Sequence, residues 1–271
     1  RIGVLRADVD NLGQTFVAGF AGKYATLSRT AALSRQLSIF FKYYIRSILK
    51  NGEYHIDGEK KLTERNATIV YSGGDDVFIV GAWNEVIELS IDLQEKFKKY
   101  TQGTLSISSG IGIYECTYPI GAIANETGEM EAESKRMPEK DSVTLMDDGE
   151  THLINELEIC DGTYRWEELY KSVLGEKYDV IQDFLGESDE RGMSFLYRML
   201  ELIRNQKEKI NFARFVYLLS RLEPDKEGEK KEKYRKFSRK MYQWVQSEKD
   251  CRELKTAINL YAYMHREKGA H

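Results

Sequence analysis

Hydrophobic positions in the first half of the chain follow two different spacings. Residues 2–7 form a short apolar run, whereas apolar side chains recur every three or four positions over residues 28–50. The first pattern predicts a buried strand, and the second predicts a long amphipathic helix. Asn51-Gly52 then supplies a helix stop, and the polar residues 53–65 predict an exposed loop.

Two further apolar runs, residues 68–71 and 77–80, flank a turn-forming segment and therefore predict a β-hairpin. The elements predicted after this hairpin are a helix, a strand, a helix and a strand, over residues 84–100, 105–114, 119–136 and 142–145. The resulting order is β-α-β-β-α-β-α-β. This order predicts an α+β fold that resembles a ferredoxin-like palm with additional elements.

The second half of the chain has a different pattern. From about residue 151 the apolar spacing is helical, with stripes over residues 195–203, 212–219 and 242–261. Fifteen of the 21 glycines lie in residues 1–150, so tight turns are concentrated in the first half. These differences predict two domains, a palm over residues 1–148 and an all-α helical domain over residues 149–271.

Composition excludes several classes of protein. The 271 residues are 41% hydrophobic and 31% charged, with a formal net charge of −4, which argues against a uniformly basic nucleic-acid-coating protein. Cys116, Cys160 and Cys251 are scattered, so neither a disulfide framework nor a cysteine zinc site is expected. A reducing, cytoplasmic compartment is the expected location. No apolar run approaches the roughly 18 residues of a membrane span.

The predicted hairpin turn carries the most specific candidate chemistry. Gly73-Gly74-Asp75-Asp76 places two adjacent carboxylates between apolar strands, where a divalent cation is the usual compensation for their charge. The two glycines let a ligand approach the backbone. Because side chains alternate along a strand, Asp75 and Asp76 are expected to point to different faces. One of them would then bind metal while the other orients or deprotonates a nucleophile. Taken alone, the motif is also compatible with an ordinary turn.

A second acidic motif follows the first predicted strand. Asp8 lies at the C-terminal end of that strand, which pairs beside the hairpin in a β-α-β-β core. Asp8 and Asp75 are therefore expected to share one or two Mg²⁺ ions in a site that activates a 3′-hydroxyl and neutralises a leaving pyrophosphate. The following turn offers backbone N–H groups to a triphosphate. Its residues are Val9, Asp10, Asn11, Leu12 and Gly13.

Basic and imidazole side chains add less to the site. Lys135, near the end of the predicted 119–136 helix, is placed to reach the β- and γ-phosphates of a nucleotide, the alternative being a solvated helix lysine. The four histidines form no cluster and no His-Asp doublet, which argues against a metal-dependent nuclease of the paired His-Asp kind. They are expected on the surface or in loops, at positions His55, His152, His265 and His271.

Three segments together resemble a known family. They read LRADVDNLG, TAALSRQLS and VYSGGDDVFIVG, at residues 5–13, 30–38 and 70–81. They are similar to the second, catalytically competent palm domain of the large subunit of type III-A CRISPR (Csm) effector complexes. The resemblance is specific over about residues 1–146, and the helical remainder resembles that subunit's C-terminal helical domain. Because Arg1 directly precedes a strand-like run, the chain is expected to be a piece of a larger protein.

The resemblance implies an activity and a set of site residues. The family's palm converts ATP into cyclic oligoadenylates with Mg²⁺ or Mn²⁺ when the guide-RNA complex captures target RNA. Carried over, Asp75 and Asp76 are the catalytic acidic pair and metal ligands, and Asp8 is a further metal ligand. The other residues implied to bind the nucleotide are Val9 to Gly13, Ser72, Gly73, Gly74 and Lys135.

The implied partners are ATP, other Csm-type subunits, guide RNA and target RNA. The family's N-terminal HD nuclease domain and first palm domain are not matched by this chain, so no DNA cleavage is expected of it. Because the family's active site lies between two palms, this chain alone is expected to bind ATP but to synthesise poorly.

Two alternatives remain open. The first is a cyclic-dinucleotide or cyclic-mononucleotide cyclase that acts as a dimer. The related diguanylate cyclases carry a Glu-Phe pair where this chain has Asp76-Val77, and they read guanine with an asparagine at the position of Phe16. Both differences argue against guanine recognition. The second alternative is a nucleotide-binding scaffold without turnover, against which the presence of both Asp75 and Asp76 argues.

Overall fold

A computed structural model describes residues 1–20, 22, 25–58, 61–147, 149–186, 191–204 and 209–268. The chain forms two compact units, Arg1–Glu167 and Glu168–His271.

The first unit is built on one large sheet. Its elements are β1 (Ile2–Val9), α1 (Leu12–Ala18), α2 (Leu27–Ile39), α3 (Ile45–Lys50), β2 (Ala67–Gly73), β3 (Asp76–Ala82), α4 (Trp83–Tyr100), β4 (Ile107–Tyr114), α5 (Ile120–Ser134), β5 (Ser142–Leu145), β6 (Thr151–Ile154), β7 (Leu157–Cys160) and β8 (Thr163–Arg165). A π-helical stretch, Phe40–Tyr44, joins α2 to α3. The strand order is β2-β3-β1-β4-β5-β8, and only the β4–β5 pair is parallel. The predicted α+β palm is confirmed, including its hairpin and its element order.

The centre of the sheet is formed by the strands that the hydrophobic pattern marked as buried. Leu5 and Ala7 of β1 and Ile79 of β3 have no exposed surface. On the opposite face, Val4 packs with Tyr114 and with Ile123 of α5. Both faces of β1 are therefore covered along most of its length, and its half-exposed residues are Ile2, Arg6 and Asp8.

Helix α5 lies unusually close to β4 at Gly110. A Cβ atom at Gly110 would stand 2.5 Å from both the Glu131 amide nitrogen and the Thr127 carbonyl oxygen. Both contacts are with helix backbone, which cannot move aside as a flexible side chain would. The absence of a side chain at Gly110 therefore determines how closely α5 packs against the sheet. It also determines the position of the side chains on α5.

We expect Gly110→Ala to destabilise the first unit by about 1–3 kcal/mol, because the added methyl group overpacks the contact between α5 and β4. Gly121→Ala is the matched control. No atom lies within 4 Å of a Cβ at Gly121, which also lies in α5. Urea unfolding followed by circular dichroism measures both variants. Equal midpoints for the two variants would contradict the close approach.

The loop over residues 53–65 was predicted to be exposed, and this prediction is wrong at Ile56 and Arg65, which are buried. Arg65 is buried, and its guanidinium contacts Glu88 and, at 2.9 Å, Asp92, both on α4. The same two carboxylates accept hydrogen bonds from the backbone N–H groups of Glu53, Tyr54 and Ile56. Part of the polar composition of this loop therefore reflects a buried ionic cluster, formed by Arg65, Glu88 and Asp92, rather than contact with solvent. Residues 59 and 60 of the loop lie outside the described residues.

The prediction of helix from about residue 151 is wrong over residues 151–165, where the structure has β6, β7 and β8. Strands β6 and β7 form a separate hairpin whose turn residues, Asn155 and Glu156, have φ angles of 48° and 68°. Two positive φ angles are typical of a type I′ turn, which usually contains glycine, so its sequence signal was weak. Strand β8 pairs with β5 in the large sheet. The first compact unit therefore extends to Glu167, beyond the residue 148 of the predicted boundary.

The second unit is helical. After a short helix α6 (Trp166–Glu168) and a π-helical stretch (Leu169–Tyr178), its helices are α7 (Asp179–Leu185), α8 (Arg191–Arg204), α9 (Lys209–Ser220), α10 (Glu229–Trp244) and α11 (Glu248–Lys268). The predicted stripe on α8 is confirmed as core: Phe195, Leu196, Met199, Leu200 and Ile203 are all buried. Among the helices that the structure describes, none is long and apolar enough to cross a membrane.

Candidate functional site

The sheet brings the predicted acidic residues together. In the pairing of β1 with β3, Asp8 stands directly opposite Asp76. The hairpin turn is held against the end of β1, because the Asp75 carbonyl oxygen accepts a hydrogen bond of 3.1 Å from the Val9 N–H. Gly74, at the turn, has a φ angle of 61°, which favours glycine. We call Asp8, Asp75 and Asp76 the acidic centre.

The electrostatics of the acidic centre show the repulsion expected of neighbouring carboxylates. The pKa of Asp75 is raised, first by burial and then by the charges of Asp8 and Asp76. Asp76 has a different neighbour, because its negative charge is the main cause of the raised pKa of the Tyr71 hydroxyl. Asp75 thus faces the charge of Asp8, whereas Asp76 also lies near a phenol. Tyr71 was not identified from the sequence, in which it reads as one more strand aromatic.

The raised pKa of Asp75 leads to a stability prediction. A carboxyl group whose pKa is higher in the folded than in the unfolded state favours folding more as the pH falls, and its charged form opposes folding at neutral pH. Asp75→Asn is therefore expected to raise the melting temperature of the metal-free protein at pH 7.5, with a smaller gain near pH 4. Differential scanning calorimetry in EDTA measures this. A lower melting temperature at pH 7.5 would show that Asp75 stabilises the apo fold instead.

Lys135, directly after α5, is the cation of the site. Its ammonium group pairs with Asp8 and, at 2.8 Å, with Glu131. Burial lowers the pKa of Lys135, but the hydrogen bonds to the two carboxylates outweigh it, so the pKa is raised overall. Glu131 is also held by Arg6, at 2.8 Å. Lys135 is therefore a positioned charge rather than a solvated helix lysine, and Glu131 and Arg6 are supporting residues that the sequence did not reveal.

The predicted phosphate cradle, residues 9–13, is only partly open to a ligand. Asp10 is 2% exposed, and its Oδ2 accepts hydrogen bonds from Ser106 Oγ at 2.7 Å and from the Asp141 N–H at 3.1 Å. The backbone N–H groups of Val9 and Asp10 donate to Asp75 and Ser106. The buried Asp10 side chain therefore stabilises the turn through these hydrogen bonds. The backbone amides left for a phosphate are those of Asn11, Leu12 and Gly13.

The remaining predicted residues lie around the acidic centre with different surroundings. Asn11 has a φ angle of 54°, and its Oδ1 accepts a hydrogen bond of 2.7 Å from Lys140, a second basic residue at this edge. Gly13 is open, with no atom within 4 Å of a Cβ at that position. Ser72 is turned away from the turn, because its hydroxyl donates to the Phe41 carbonyl at 2.6 Å. A Cβ at Gly73 would stand 2.9 Å from the Tyr71 hydroxyl.

The donor chemistry of the acidic centre suits a hard divalent cation. In the part of the chain that the structure describes, no group of three or more acidic, histidine or cysteine side chains is arranged to hold a metal by itself. Magnesium usually binds through one or two carboxylates together with the phosphates of its substrate. Asp8 and Asp75, whose mutual repulsion a cation would relieve, fit that arrangement. They are the residues that would hold Mg²⁺ or Mn²⁺.

The histidines contribute no second metal site among the described residues. His55 is not a surface residue, since its side chain is 9% exposed beside Glu88 of the buried ionic cluster. His152 lies 3.2 Å from Asp161, and His265 stacks on Tyr261. His271 lies outside the described residues.

Comparison with known proteins gives the family. Residues 1–144 match the family model of the Cas10/Cmr2 second palm domain, and residues 182–267 match that of the second helical domain of the Cmr2 subunit of the CRISPR RNA silencing complex. The chain is 43% identical over 273 aligned positions to the Mycobacterium tuberculosis CRISPR system single-strand-specific deoxyribonuclease Cas10/Csm1 of subtype III-A. That alignment covers 99% of this chain and 32% of the relative.

Solved structures of related proteins agree with this family assignment. A Csm1-Csm4 cassette in complex with pppApApA matches with a TM-score of 0.66 and 28% identity, over 94% of this chain and 37% of that one. A Csm1-Csm4 cassette in complex with cA3 matches with a TM-score of 0.65 and 26% identity, over 94% of this chain and 36% of that one. This chain thus spans about a third of the length of its relatives. It belongs to the Cas10/Cmr2 family, of which it carries the second palm domain and the second helical domain.

Proposed function

We propose that this chain is the part of a type III-A CRISPR large subunit that joins ATP molecules into cyclic oligoadenylates. The observation that carries the proposal is the acidic centre, in which Asp8, Asp75 and Asp76 meet at one end of the sheet beside the positioned Lys135. Related Csm1-Csm4 cassettes bound to pppApApA and to cA3 support the same substrate class. A purely structural turn would gain nothing from three neighbouring carboxylates, because their charges repel one another.

In the proposed reaction, the 3′-hydroxyl of one adenosine attacks the α-phosphorus of a second ATP, a phosphodiester bond forms and pyrophosphate leaves. A divalent cation, when bound, polarises the phosphate oxygens and neutralises the leaving group. Asp8 and Asp75 would hold that cation. Asp76, whose charge is felt by Tyr71, would orient the 3′-hydroxyl and accept its proton.

Lys135 has a defined part in this scheme. Without nucleotide its ammonium group pairs with Asp8 and Glu131. With a cation held at Asp8, Lys135 would be able to turn to the β- and γ-phosphates while remaining paired with Glu131. The helix-packing contact at Gly110 sets the distance over which Lys135 has to reach.

The proposed partners follow from the family. They are ATP, the other Csm-type subunits, guide RNA, target RNA, and the HD and first palm domains of the same subunit. Because the second of two palms is present here, activity is expected to depend on the first palm and on target RNA.

Incubation with radiolabelled ATP and Mn²⁺ tests the proposal, both for this chain and for the chain rebuilt into its full complex with target RNA. Oligoadenylates formed in the complex support it, and a parallel incubation with GTP tests the cyclic-dinucleotide alternative. If ATP binds but neither preparation forms product, the chain is a nucleotide-binding scaffold and the proposal is wrong.

A further inference from the structure

A groove runs along the open edge of the sheet, next to the acidic centre but separate from it. Strand β2 is the edge strand, and the helical stretch around the π-helical turn forms the opposite wall. The groove has a volume of about 430 Å³. We call it the edge groove, and its lining residues are Phe41, Lys42, Tyr43, Arg46, Ile69, Val70, Tyr71 and Ser72.

The charge of the edge groove is entirely positive. Lys42 and Arg46 are exposed, and neither forms an ion pair within the described part of the chain. None of the eight lining residues is acidic. Two neighbouring basic side chains with no carboxylate beside them attract phosphate groups. Without a phosphate, their charges are balanced only by ions from the solvent.

Aromatic side chains are exposed beside these cations. Tyr43 is 69% exposed and Tyr71 is 54% exposed, whereas large aromatic side chains are more often covered in a folded unit. Val70, on the β2 wall, is 62% exposed. Exposed rings next to basic side chains are the usual platform for bases and backbone of a single-stranded nucleic acid, in which bases stack on rings and phosphates meet cations.

The edge groove is directly connected to the acidic centre. Tyr71 lines the groove, and a Cβ atom at Gly73 of the hairpin turn would stand 2.9 Å from its hydroxyl. Ser72, which also lines the groove, immediately precedes the glycines of the hairpin turn. The groove thus ends beside the hairpin turn, and a nucleotide chain held at the acidic centre would enter it at Tyr71.

We propose that the edge groove binds the growing oligoadenylate, with a base against an exposed tyrosine ring and a phosphate at Lys42 and Arg46. This inference rests on the proposed function, because the occupant is the linear product of that reaction. The volume is at the low end of the range of about 300–1,000 Å³ for small-molecule sites. It accommodates a single nucleotide unit rather than a duplex, which favours a short single-stranded product over a structured RNA.

Direct binding tests the proposal without catalysis. Fluorescently labelled linear triadenylate with a 5′-triphosphate is titrated with the whole chain in EDTA, which removes the cation from the acidic centre. Lys42→Gln/Arg46→Gln is expected to weaken binding about tenfold and to reduce the dependence of binding on salt, because two phosphate contacts are lost. The matched control, Arg35→Gln/Lys99→Gln, removes two exposed positive charges from the same unit and should bind as the wild type does.

Equal affinity of the wild type and the groove variant, or no measurable binding by the wild type, would overturn the inference. Equal binding of labelled triuridylate would also overturn it, because the groove would then be a general single-strand surface. If the chain and its complex make no oligoadenylate but the groove variant still loses affinity for triadenylate, only the proposed function fails. Circular dichroism of each variant confirms that it is folded.

Discussion

Replacing both Asp75 and Asp76 by asparagine should reduce oligoadenylate synthesis from ATP at least about a thousandfold. Metal-assisted stabilisation of transition-state charge is worth several kcal/mol, and each 1.36 kcal/mol corresponds to a factor of ten in rate. In the proposed mechanism, the variant loses a cation ligand at Asp75 and the group that orients the 3′-hydroxyl at Asp76. Asparagine keeps the shape of both side chains, so the hairpin and its hydrogen bond to β1 should be retained.

The activity measurement uses the complete complex with target RNA and Mn²⁺, where the wild type is expected to be active. Glu64→Gln/Glu129→Gln is the matched control, since it removes two exposed carboxylates from the same unit. The control should retain wild-type turnover. A double Asp75/Asp76 variant with turnover within tenfold of the wild type would mean that the acidic centre is not the catalytic site. Its melting temperature should not fall, because a repulsive pair of charges has been removed.

The palm and its acidic turn could be predicted from the sequence because both depend on local patterns. Apolar runs of strand length around Gly73-Gly74 specify a hairpin, and the pairing of β1 beside β3 then brings Asp8 opposite Asp76. The two glycines and two acids are contiguous, so no long-range contact is needed to recognise them. The family resemblance rests on the same contiguous segments.

The sequence could not predict that Asp8 is half-exposed at the acidic centre whereas Asp10 is buried. The two residues are two positions apart, and strict alternation would place both on one face. Strand β1 ends at Val9, however, and the chain turns there, so Asp10 is directed inward to Ser106 and the Asp141 amide. These partners come from distant segments that carry no motif of their own. Arg6 and Glu131 were missed for the same reason, since they pair across the contact between β1 and α5.

The buried ionic cluster of Arg65 illustrates a second limit of structure prediction from the sequence. In the sequence Arg65 ends a polar stretch, and Glu88 and Asp92 read as ordinary charges on a helix. Only the docking of residues 53–65 against α4 shows that the Arg65 side chain is 1% exposed and paired with both carboxylates. A composition-based reading assigns such residues to solvent, because burial is decided by partners that the local sequence does not contain.

Arg65→Met should destabilise the first unit by about 3–5 kcal/mol, because it leaves two buried carboxylates without their cation. Methionine retains much of the apolar stem, so lost packing is a minor part of the effect. Urea unfolding at pH 7.5 measures the loss, and hydrogen exchange should show increased opening of residues 53–58 and α4. Arg136→Met is the matched control. It removes a half-exposed ion pair with Glu133, which is expected to be worth less than about 1 kcal/mol.

The pH dependence of the Arg65→Met variant separates lost charge compensation from lost packing. Burial raises the pKa of Glu88, and Arg65 is among the groups that lower it, so without Arg65 this pKa rises further. A carboxyl group with a raised folded-state pKa favours folding increasingly as the pH falls towards that value. The deficit of the variant relative to the wild type should therefore shrink between pH 7.5 and pH 5.5. Replacing Glu88 by glutamine and Asp92 by asparagine in the same variant should also recover part of the stability at pH 7.5. A deficit independent of pH and unchanged by these replacements would show that Arg65 stabilises the loop by packing alone.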